Sequence, residues 1–237
     1  MAGGLKILYE DNHLIAVNKS TSDIVQGDKT GDPSLADEIK DYLKEKYAKK
    51  GNVFVGVVHR LDRPVSGVVL YARTSKALSR MSEAFREGTV RKIYWAIVAE
   101  KPQQDEGELV HFIRRDPKLN KSFAGVKKTP GAKEARLRYR IVGSLERYHF
   151  LEIELLTGRH HQIRAQLTAM GCHIKGDLKY GAPRSDPGGG IHLHSRTLSF
   201  PHPVGGKRIT VTADPPRDAL WDAALELWRA RTGSGQA

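Results

Sequence analysis

The spacing of apolar residues along the chain predicts four helices. After Ser34, apolar side chains recur at the i, i+4, i+7 and i+8 spacing of one helix face, at Leu35, Ile39, Tyr42 and Leu43. A similar stripe predicts a second helix over Ser75–Glu87, with a glycine placed to end it. A third helix is expected over residues 160–170, and a fourth after the two prolines that end at residue 216.

Between these helices, short runs of β-branched and aromatic residues predict strands. They fall at residues 5–9, 14–17, 53–58, 68–71, 93–99, 135–142, 150–156, 191–194 and 208–212. Long runs of strands with irregularly interspersed helices favour an α+β fold, with a mixed, mainly antiparallel central sheet and flanking helices. We expect a single domain over residues 1–237, with a core of about 5–213 and a C-terminal helix of about 216–230.

Composition narrows the class of protein. Hydrophobic residues make up 39% of the 237 residues, enough for a sizeable core. No run approaches the roughly 18 consecutive apolar residues of a membrane helix, so no membrane association is expected. Cys172 is the single cysteine, which excludes an internal disulfide and a cysteine-based zinc site. A soluble protein of the reducing cytoplasm is the simplest expectation.

Charge is placed unevenly along the chain. The 39 Lys and Arg against 27 Asp and Glu give a formal net charge of +12. Residues 112–140 contain ten basic and two acidic residues, a surplus of eight. Neutralisation of phosphates is a common use of such a surplus and points to nucleic acid. A solvated basic face that serves only solubility is an equally weighted alternative from composition.

The loop over residues 59–67 is the first candidate for chemistry. It is flanked by two predicted strands, stiffened by Pro64 and able to turn at Gly67. Asp62 lies between Arg60 and Arg63, whose guanidinium groups favour its ionised form and would leave a charged nucleophile or base. A local ion pair that closes the loop is the competing interpretation, and these residues alone weigh both evenly.

A second candidate is the junction over residues 156–164, where a strand passes through a glycine turn into a helix. Helix N-termini attract anions, and Arg159 and Arg164 add cations that could hold a phosphate or pair with a carboxylate such as Asp62. The alternative is that these residues only form the polar, solvent-exposed face of a helix and bind no ligand. A metal site is disfavoured because no HExxH or comparable ligand set accompanies the candidate ligands His160, His161, His192, His194 and His202.

Taken together, these segments resemble the RluA family of RNA pseudouridine synthases. The matching motifs, in the family's order, are Ile7-Leu8-Tyr9-Glu10-Asp11, Ile15-Ala16-Val17-Asn18-Lys19, His59-Arg60-Leu61-Asp62 with Ser66-Gly67, Lys92-Ile93-Tyr94, residues 158–164, Gly176-Asp177 with Tyr180-Gly181, and Leu193-His194 with Phe200-Pro201-His202-Pro203. The resemblance spans about residues 5–213. Val65 stands where the family usually has threonine and Ser20 where it has proline, which bears on substrate choice or loop geometry.

The resemblance implies a role for each matching residue. Asp62 would be the catalytic carboxylate, which attacks the uridine or removes a ribose proton. Arg60 would fill the space left by the flipped base, Tyr94 would stack on that base, and Arg164 would pair with Asp62. The remaining RNA- or substrate-binding positions implied by the motifs are His59, Lys92, Arg159, His160 and Gln162.

The resemblance therefore predicts an isomerase that converts uridine to pseudouridine in structured rRNA or tRNA, without cofactor or metal. No obligate protein partner is evident, and the N-terminal S4 RNA-binding domain of many relatives is expected to be absent. A non-catalytic RNA-binding protein on the same fold is the first alternative, although a binder has no need of a carboxylate facing its anionic ligand. A metal-dependent nuclease is the second, which inhibition by EDTA would favour.

Overall fold

A computed structural model describes residues 4–27 and 31–233 of the chain. In chain order, the strands of this described part are β1 (Ile7–Glu10), β2 (Leu14–Lys19), β3 (Gly56–Val57), β4 (Ser66–Ala72), β5 (Arg91–Val98), β6 (Glu106–Asp116), β7 (Lys121–Gly125), β8 (Lys133–Ser144), β9 (His149–Leu155), β10 (Leu193–Pro201) and β11 (Arg208–Thr212). The helices are α1 (Leu35–Lys46), α2 (Ser75–Glu87), α3 (Gln162–Ala169) and α4 (Ala219–Gly233), with a 3-10 turn at Leu178–Tyr180. The predicted α+β class and the mainly antiparallel sheet are confirmed.

The described chain divides into two compact units. Unit 1 contains the described residues up to Arg91 together with Ser195–Asp214, and unit 2 contains Lys92–His194 together with the described residues from Pro215 onward. The expected single domain over the whole chain stays a prediction.

The sheet of unit 1 is built around the buried strand β4. Strand β2 pairs with β4 in antiparallel register from Leu14 opposite Ala72 to Lys19 opposite Gly67. Strand β1 pairs with β2, and β11 pairs with β10. One hydrophobic cluster, which includes residues of β2, β4, β10, β11 and α2, forms the core of this unit.

The two helices of unit 1 begin and end as their sequences predict. The side chain of Ser34 accepts a hydrogen bond from the backbone N–H of Asp37 and so caps the N-terminus of α1. The side chain of Thr74 caps α2 in the same way. Gly88 ends α2 in the left-handed conformation, which a residue without Cβ adopts at no steric cost.

Unit 2 contains a sheet in the order β5-β9-β8-β6-β7, in which each adjacent pair is antiparallel. A hydrophobic cluster of β5, β8, β9 and α4 residues covers one face, with Trp95, Phe150 and Trp221 at its centre. A smaller cluster includes Ala165 of α3 and Tyr180 of the 3-10 turn.

Several boundaries differ from those predicted. Helix α3 begins at Gln162 rather than at residue 160, because His161 has a positive φ of 52° that a right-handed helix cannot include. Helix α4 begins at Ala219, because the side chain of Asp218 caps the first backbone N–H groups of that helix. Strands β6 and β7 were not expected: charged side chains occupy most exposed positions of β6, and β7 is a short strand with a buried serine and an exposed phenylalanine.

Candidate active site

Asp62 lies in the loop between β3 and β4. Its side chain is partly exposed, whereas Leu61 before it and Val65 after it are buried. The backbone N–H of Val65 donates to the carbonyl oxygen of Asp62 at 3.0 Å, which closes a tight turn. The loop therefore holds the carboxylate at a fixed position between two buried anchors.

A buried lysine fixes this turn from the inside. The side chain of Lys19, at the end of β2, is 1% exposed. Its ammonium donates three hydrogen bonds of 2.8 Å, to the backbone carbonyl oxygens of Ser20, Arg63 and Val65. Because a lysine ammonium has three N–H donors, every one is used. Lys19 thus binds two carbonyl oxygens of the Asp62 turn, those of Arg63 and Val65.

The charge on Lys19 reflects a balance of burial and neighbouring groups. Burial lowers the pKa of Lys19 to about 8, while the carboxylates of Asp23 and Asp62 act in the opposite direction. With a pKa of about 8, the ammonium stays protonated at neutral pH. The side chain of Asp62 therefore has a nearby cation in its own unit.

His59, at the start of the loop, contacts the protein interior of unit 1. Its Nε2 accepts a hydrogen bond from the backbone N–H of Leu70 at 3.1 Å, so the Nδ1 atom carries the proton of the neutral ring. The ring stacks on Phe85 with 4.9 Å between centroids. Strand β3 has only two residues, rather than the six predicted, and directly beyond its pair of Val57 and Tyr71 the backbone N–H of Leu70 bonds to the ring of His59 instead of a strand carbonyl.

At position 67, the last residue of the loop motif, only glycine fits without steric strain. Its φ of 115° lies in a region that L side chains rarely adopt. A Cβ atom at this position would collide with the backbone carbonyl of Ser195 in β10. Arg60, by contrast, is exposed, as a residue that reaches for a ligand must be.

Tyr94 and Lys92 are two residues apart on β5 in unit 2. Tyr94 pairs with Ile153 of β9, and 8% of its surface is exposed. Lys92 is equally buried, and its burial lowers the pKa of its ammonium. Because side chains alternate along a strand, the phenol and the ammonium lie on the same face of β5.

Arg164, on α3, forms a buried ion pair with Asp177 within unit 2. Its Nε donates to Asp177 Oδ2 at 2.7 Å and its terminal nitrogen donates to Asp177 Oδ1 at 2.8 Å. Both side chains are at least 95% buried. This bidentate geometry fixes the plane of the guanidinium. The pairing of Arg164 with Asp62 stays a prediction.

The other predicted RNA-binding residues of unit 2 have contacts within that unit. Gln162 is 3% exposed, and its amide bonds to the carbonyl of Arg136 at 3.1 Å and to the side chain of Gln166 at 2.9 Å. Arg159 is exposed, and its Nε donates to the carbonyl of Glu134 at 2.9 Å. His160 Nδ1 lies 2.9 Å from Ser122 Oγ. The structure therefore brings these residues together at the start of α3, and their contacts with RNA stay predictions.

Two residues of the site were not singled out from the sequence. Lys19 has a signal there, since it belongs to a matching motif and ends a strand that begins with four apolar residues. Asp177 belongs to a matching motif, but sequence spacing gives no indication that Arg164 is its partner. Burial of a charged side chain is the common feature of both, and only a structure reports it.

The ten basic residues of residues 112–140 fall into two groups, those that form ion pairs with glutamates and those that do not. Arg136, Arg138 and Arg140 project from β8 and pair with Glu108 and Glu152 at 2.5 to 3.0 Å. The hydrogen bonds of Arg136 and Arg138 lower the pKa of Glu108. The other seven basic residues lie over residues 114–133, which we call the basic hairpin: Arg114, Arg115, Lys118, Lys121, Lys127, Lys128 and Lys133. Within the described part of the chain, none of these seven forms an ion pair.

The basic hairpin also exposes apolar side chains. Phe123 is 42% exposed and faces outward opposite Arg114 of β6. The ammonium of Lys121 lies 5.5 Å from the centre of its ring. Leu119, at the tip, is 58% exposed. Cations interleaved with an exposed aromatic ring are typical of surfaces that bind unpaired nucleotides.

Metal ligands and membrane-spanning helices are both absent from residues 4–27 and 31–233. These ranges contain no group of three His, Cys, Asp or Glu side chains placed to hold a metal ion. In the same ranges, no helix has the length and apolarity needed to cross a bilayer.

Comparisons with known proteins agree on one family. A family model described as RNA pseudouridylate synthase matches residues 13–169, more than half of the chain. A Synechocystis protein named as an uncharacterized RNA pseudouridine synthase is 33% identical over 232 residues, which cover 96% of this chain and 70% of that protein. The ribosomal large subunit pseudouridine synthase C of Rickettsia bellii is 32% identical over 89% of this chain and 68% of its own.

A solved structure gives the same result for the fold. The structure titled human RNA pseudouridylate synthase domain containing 4 superposes with a TM-score of 0.76 at 25% sequence identity. The match covers 94% of this chain and 93% of the human one.

Proposed function

The chain belongs to the RNA pseudouridylate synthase family and is an RNA-modifying isomerase, and we propose that its substrate is ribosomal RNA, with Asp62 as the catalytic carboxylate. The names of relatives such as the large subunit synthases C and D support ribosomal RNA over transfer RNA. The observation that carries the catalytic assignment is the Asp62 turn, in which the carbonyl oxygens of Arg63 and Val65 each accept a hydrogen bond from the buried ammonium of Lys19.

The proposed chemistry needs an ionised carboxylate that reaches an extruded nucleotide. Asp62 is partly exposed, and the ammonium of Lys19 provides a nearby positive charge. In the proposal, Asp62 attacks the uridine or removes a ribose proton, the C1′–N1 bond breaks, and the base rejoins through C5. A uridine in a stack must first flip out, and Arg60, exposed in the same loop, takes its place.

The residues of unit 2 supply recognition and orientation in this proposal. The buried ring of Tyr94 stacks on the flipped uracil and assists removal of the proton from C5. Arg164, whose guanidinium is oriented by Asp177, pairs with Asp62. His59, Lys92, Arg159, His160 and Gln162 line or support the path of the RNA.

The basic hairpin is the proposed surface for RNA capture. Its seven basic side chains have no competing acidic partner in the described ranges, whereas the arginines of β8 are already paired with glutamates. Unpaired cations release the most counterions when they meet phosphates, so they contribute most to affinity. We therefore assign RNA binding to residues 114–133 rather than to all of residues 112–140.

A non-catalytic RNA-binding protein was the first alternative. Family membership and the names of the relatives favour the enzyme over this alternative. A cytoplasmic location is part of the proposal, and the buried, unpaired thiol of Cys172 is consistent with it.

Site-by-site mapping of pseudouridine in total RNA, from cells with and without the protein, tests the substrate. We expect one or a few uridines of large-subunit rRNA to lose the modification in cells that lack the protein. Loss confined to tRNA would overturn the rRNA assignment while leaving the enzyme class intact. An unchanged map, confirmed with purified protein and rRNA transcripts, would contradict the proposal.

A further inference from the structure

Tyr180 connects the basic hairpin to Arg164 within unit 2. It ends the 3-10 turn at Leu178–Tyr180 and is 3% exposed. Its hydroxyl oxygen accepts a hydrogen bond from the backbone N–H of Ser122 at 2.8 Å, donates to the carbonyl of Ser122 at 3.0 Å, and lies 3.0 Å from Nδ1 of His161, the residue before α3. One phenol group thus satisfies both backbone groups of a residue in β7.

These two hydrogen bonds stabilise an edge strand. Strand β7 is the last strand of the unit 2 sheet, and only β6 pairs with it in the part of the chain that the structure describes. An edge strand has one row of backbone donors and acceptors without a strand partner. The hydroxyl of Tyr180 takes the place of that partner at Ser122, between Lys121 and Phe123 of the basic hairpin.

The ring of the same residue contacts the guanidinium of Arg164. The Cζ atom of Arg164 and the Nζ atom of Lys121 each lie 4.8 Å from the centre of the Tyr180 ring. Both distances are within the range of cation–π attraction. A cation of the RNA-facing hairpin and a cation of the proposed active site therefore share one aromatic ring.

The turn that carries Tyr180 also carries the carboxylate that holds Arg164. Asp177 immediately precedes the turn, and its carbonyl accepts a hydrogen bond from the backbone N–H of Tyr180 at 3.0 Å. Its carboxylate makes the bidentate pair with Arg164. Asp177 and the ring of Tyr180 thus restrict the guanidinium from two directions, while the Tyr180 hydroxyl binds β7.

We propose that Tyr180 is a positioning residue that orients Arg164 through its ring and holds the basic hairpin through its hydroxyl. The proposal rests on the proposed function, because it takes Arg164 as a residue of the catalytic machinery. The ring and the hydroxyl of Tyr180 have different roles in this proposal. The ring governs the rate of the chemical step, and the hydroxyl governs RNA affinity.

Two substitutions separate these parts. Tyr180→Phe keeps the ring and removes the hydroxyl, whereas Tyr180→Leu removes both. Tyr139→Phe is the matched control, since Tyr139 is a buried tyrosine of the same unit whose hydroxyl makes one long hydrogen bond of 3.4 Å. Single-turnover rates at saturating rRNA fragment, the Kd for that fragment, and amide exchange at Ser122 are measured for each full-length variant.

The Phe variant is expected to weaken RNA binding about fivefold, to accelerate exchange at Ser122, and to keep the saturating rate within twofold of wild type. The Leu variant is expected to show the same weaker binding with a saturating rate at least tenfold lower. Rates are normalised to the folded fraction from circular dichroism, so a decrease that only reflects unfolding disappears. The control is expected to match wild type in every measurement.

Equal saturating rates for the Leu variant and wild type would overturn the role of the ring. Unchanged binding and unchanged Ser122 exchange in the Phe variant would overturn the role of the hydroxyl. Failure of the proposed function is a different result, since wild-type protein would then give no pseudouridine with this RNA at all. An active wild type with wild-type kinetics in both variants contradicts the positioning role alone.

Discussion

The ammonium of Lys19 lies 2.8 Å from the backbone carbonyl of Arg63, the residue directly after Asp62. Two more hydrogen bonds, to Ser20 and Val65, use its remaining donors. A buried lysine carries a cost of desolvation, which here lowers its pKa to about 8. This cost is offset by three charge-assisted bonds, two of which order the turn that carries the proposed catalytic carboxylate.

Replacement of this ammonium is predicted to destabilise unit 1. Lys19→Met keeps an unbranched side chain but leaves the carbonyl groups of Ser20, Arg63 and Val65 without this donor, and the lost bond to Val65 is a buried one. We expect the free energy of unfolding to fall by about 2 to 4 kcal/mol, measured in urea. Lys40→Met is the control, because Lys40 forms an exposed pair with Asp37 and its replacement should cost less than about 0.5 kcal/mol. Equal stability of the two variants would contradict the role of Lys19.

Tyr94 is predicted to act in turnover rather than in RNA capture. Tyr94→Phe keeps the aromatic ring that stacks on the base but removes the phenolic oxygen that assists proton removal from C5. We expect RNA affinity within twofold of wild type and a rate at least one hundredfold lower, as is usual when a general acid–base group is removed. Filter binding and a tritium-release assay on the same RNA measure the two quantities. Equal decreases in binding and rate would count against this role.

The basic hairpin is predicted to set the salt dependence of RNA binding. Replacing Lys127 and Lys128 by Gln should reduce the slope of log K against log salt by about 0.7 to 0.9 for each phosphate that is no longer neutralised. The matched control replaces Lys44 and Lys50, two exposed lysines of unit 1, by Gln. If the two double variants have the same salt slope, RNA capture does not depend on the hairpin.

The buried side chain of His192, in unit 2, is expected to make the free energy of unfolding depend on pH. The ring nitrogens of His192 have no hydrogen-bond partner in the described residues, although Nε2 lies 3.3 Å from Asp218 Oδ2 and Nδ1 lies 3.8 Å from Asp186 Oδ1. The ring stacks on Trp221, and Lys175 pairs with Asp186. Burial lowers the pKa of His192, while the two carboxylates oppose this effect and Lys175 adds to it.

Because its pKa is lower in the folded state, His192 binds a proton more readily when the chain is unfolded. Its contribution to stability is present above the unfolded pKa of about 6.5 and is lost as the pH falls through the lowered folded pKa. One such group changes the free energy of unfolding by at most about 1.4 kcal/mol per pH unit. His192→Asn should make the pH dependence below 6.5 shallower in urea titrations. An unchanged or steeper dependence would contradict this assignment.

The sequence predicted most of the architecture because local signals and burial agreed there. The caps of α1 and α2, Ser34 and Thr74, act locally, and the apolar stripes of both helices face the core. Strand β6 was missed because most of its exposed positions carry glutamate or arginine, and β7 because it buries a serine and exposes a phenylalanine. Runs of apolar residues do not reveal a strand whose outer face is charged.

The candidate site was predicted less completely than the fold. Asp62 and Arg164 were predicted from the charges around them as well as from the family motifs, whereas Tyr94 was predicted from the motifs alone. The three carbonyl partners of Lys19 and the carboxylate partner of Arg164 lie far from them along the chain, except for Ser20. Such long-range polar contacts depend on tertiary structure and leave no periodic signal.

The most direct test of the account is the rate of uridine isomerisation by the Asp62→Asn variant. The amide has nearly the shape of the carboxylate but carries no charge and is a poor nucleophile and base. Asp41→Asn is the control, because Asp41 is an exposed carboxylate of the same unit on α1. On an rRNA fragment that wild-type protein modifies, we expect no detectable pseudouridine from Asp62→Asn, unchanged RNA affinity, and wild-type activity from Asp41→Asn. A folded Asp62→Asn variant that modifies the fragment at the wild-type rate would contradict the central claim.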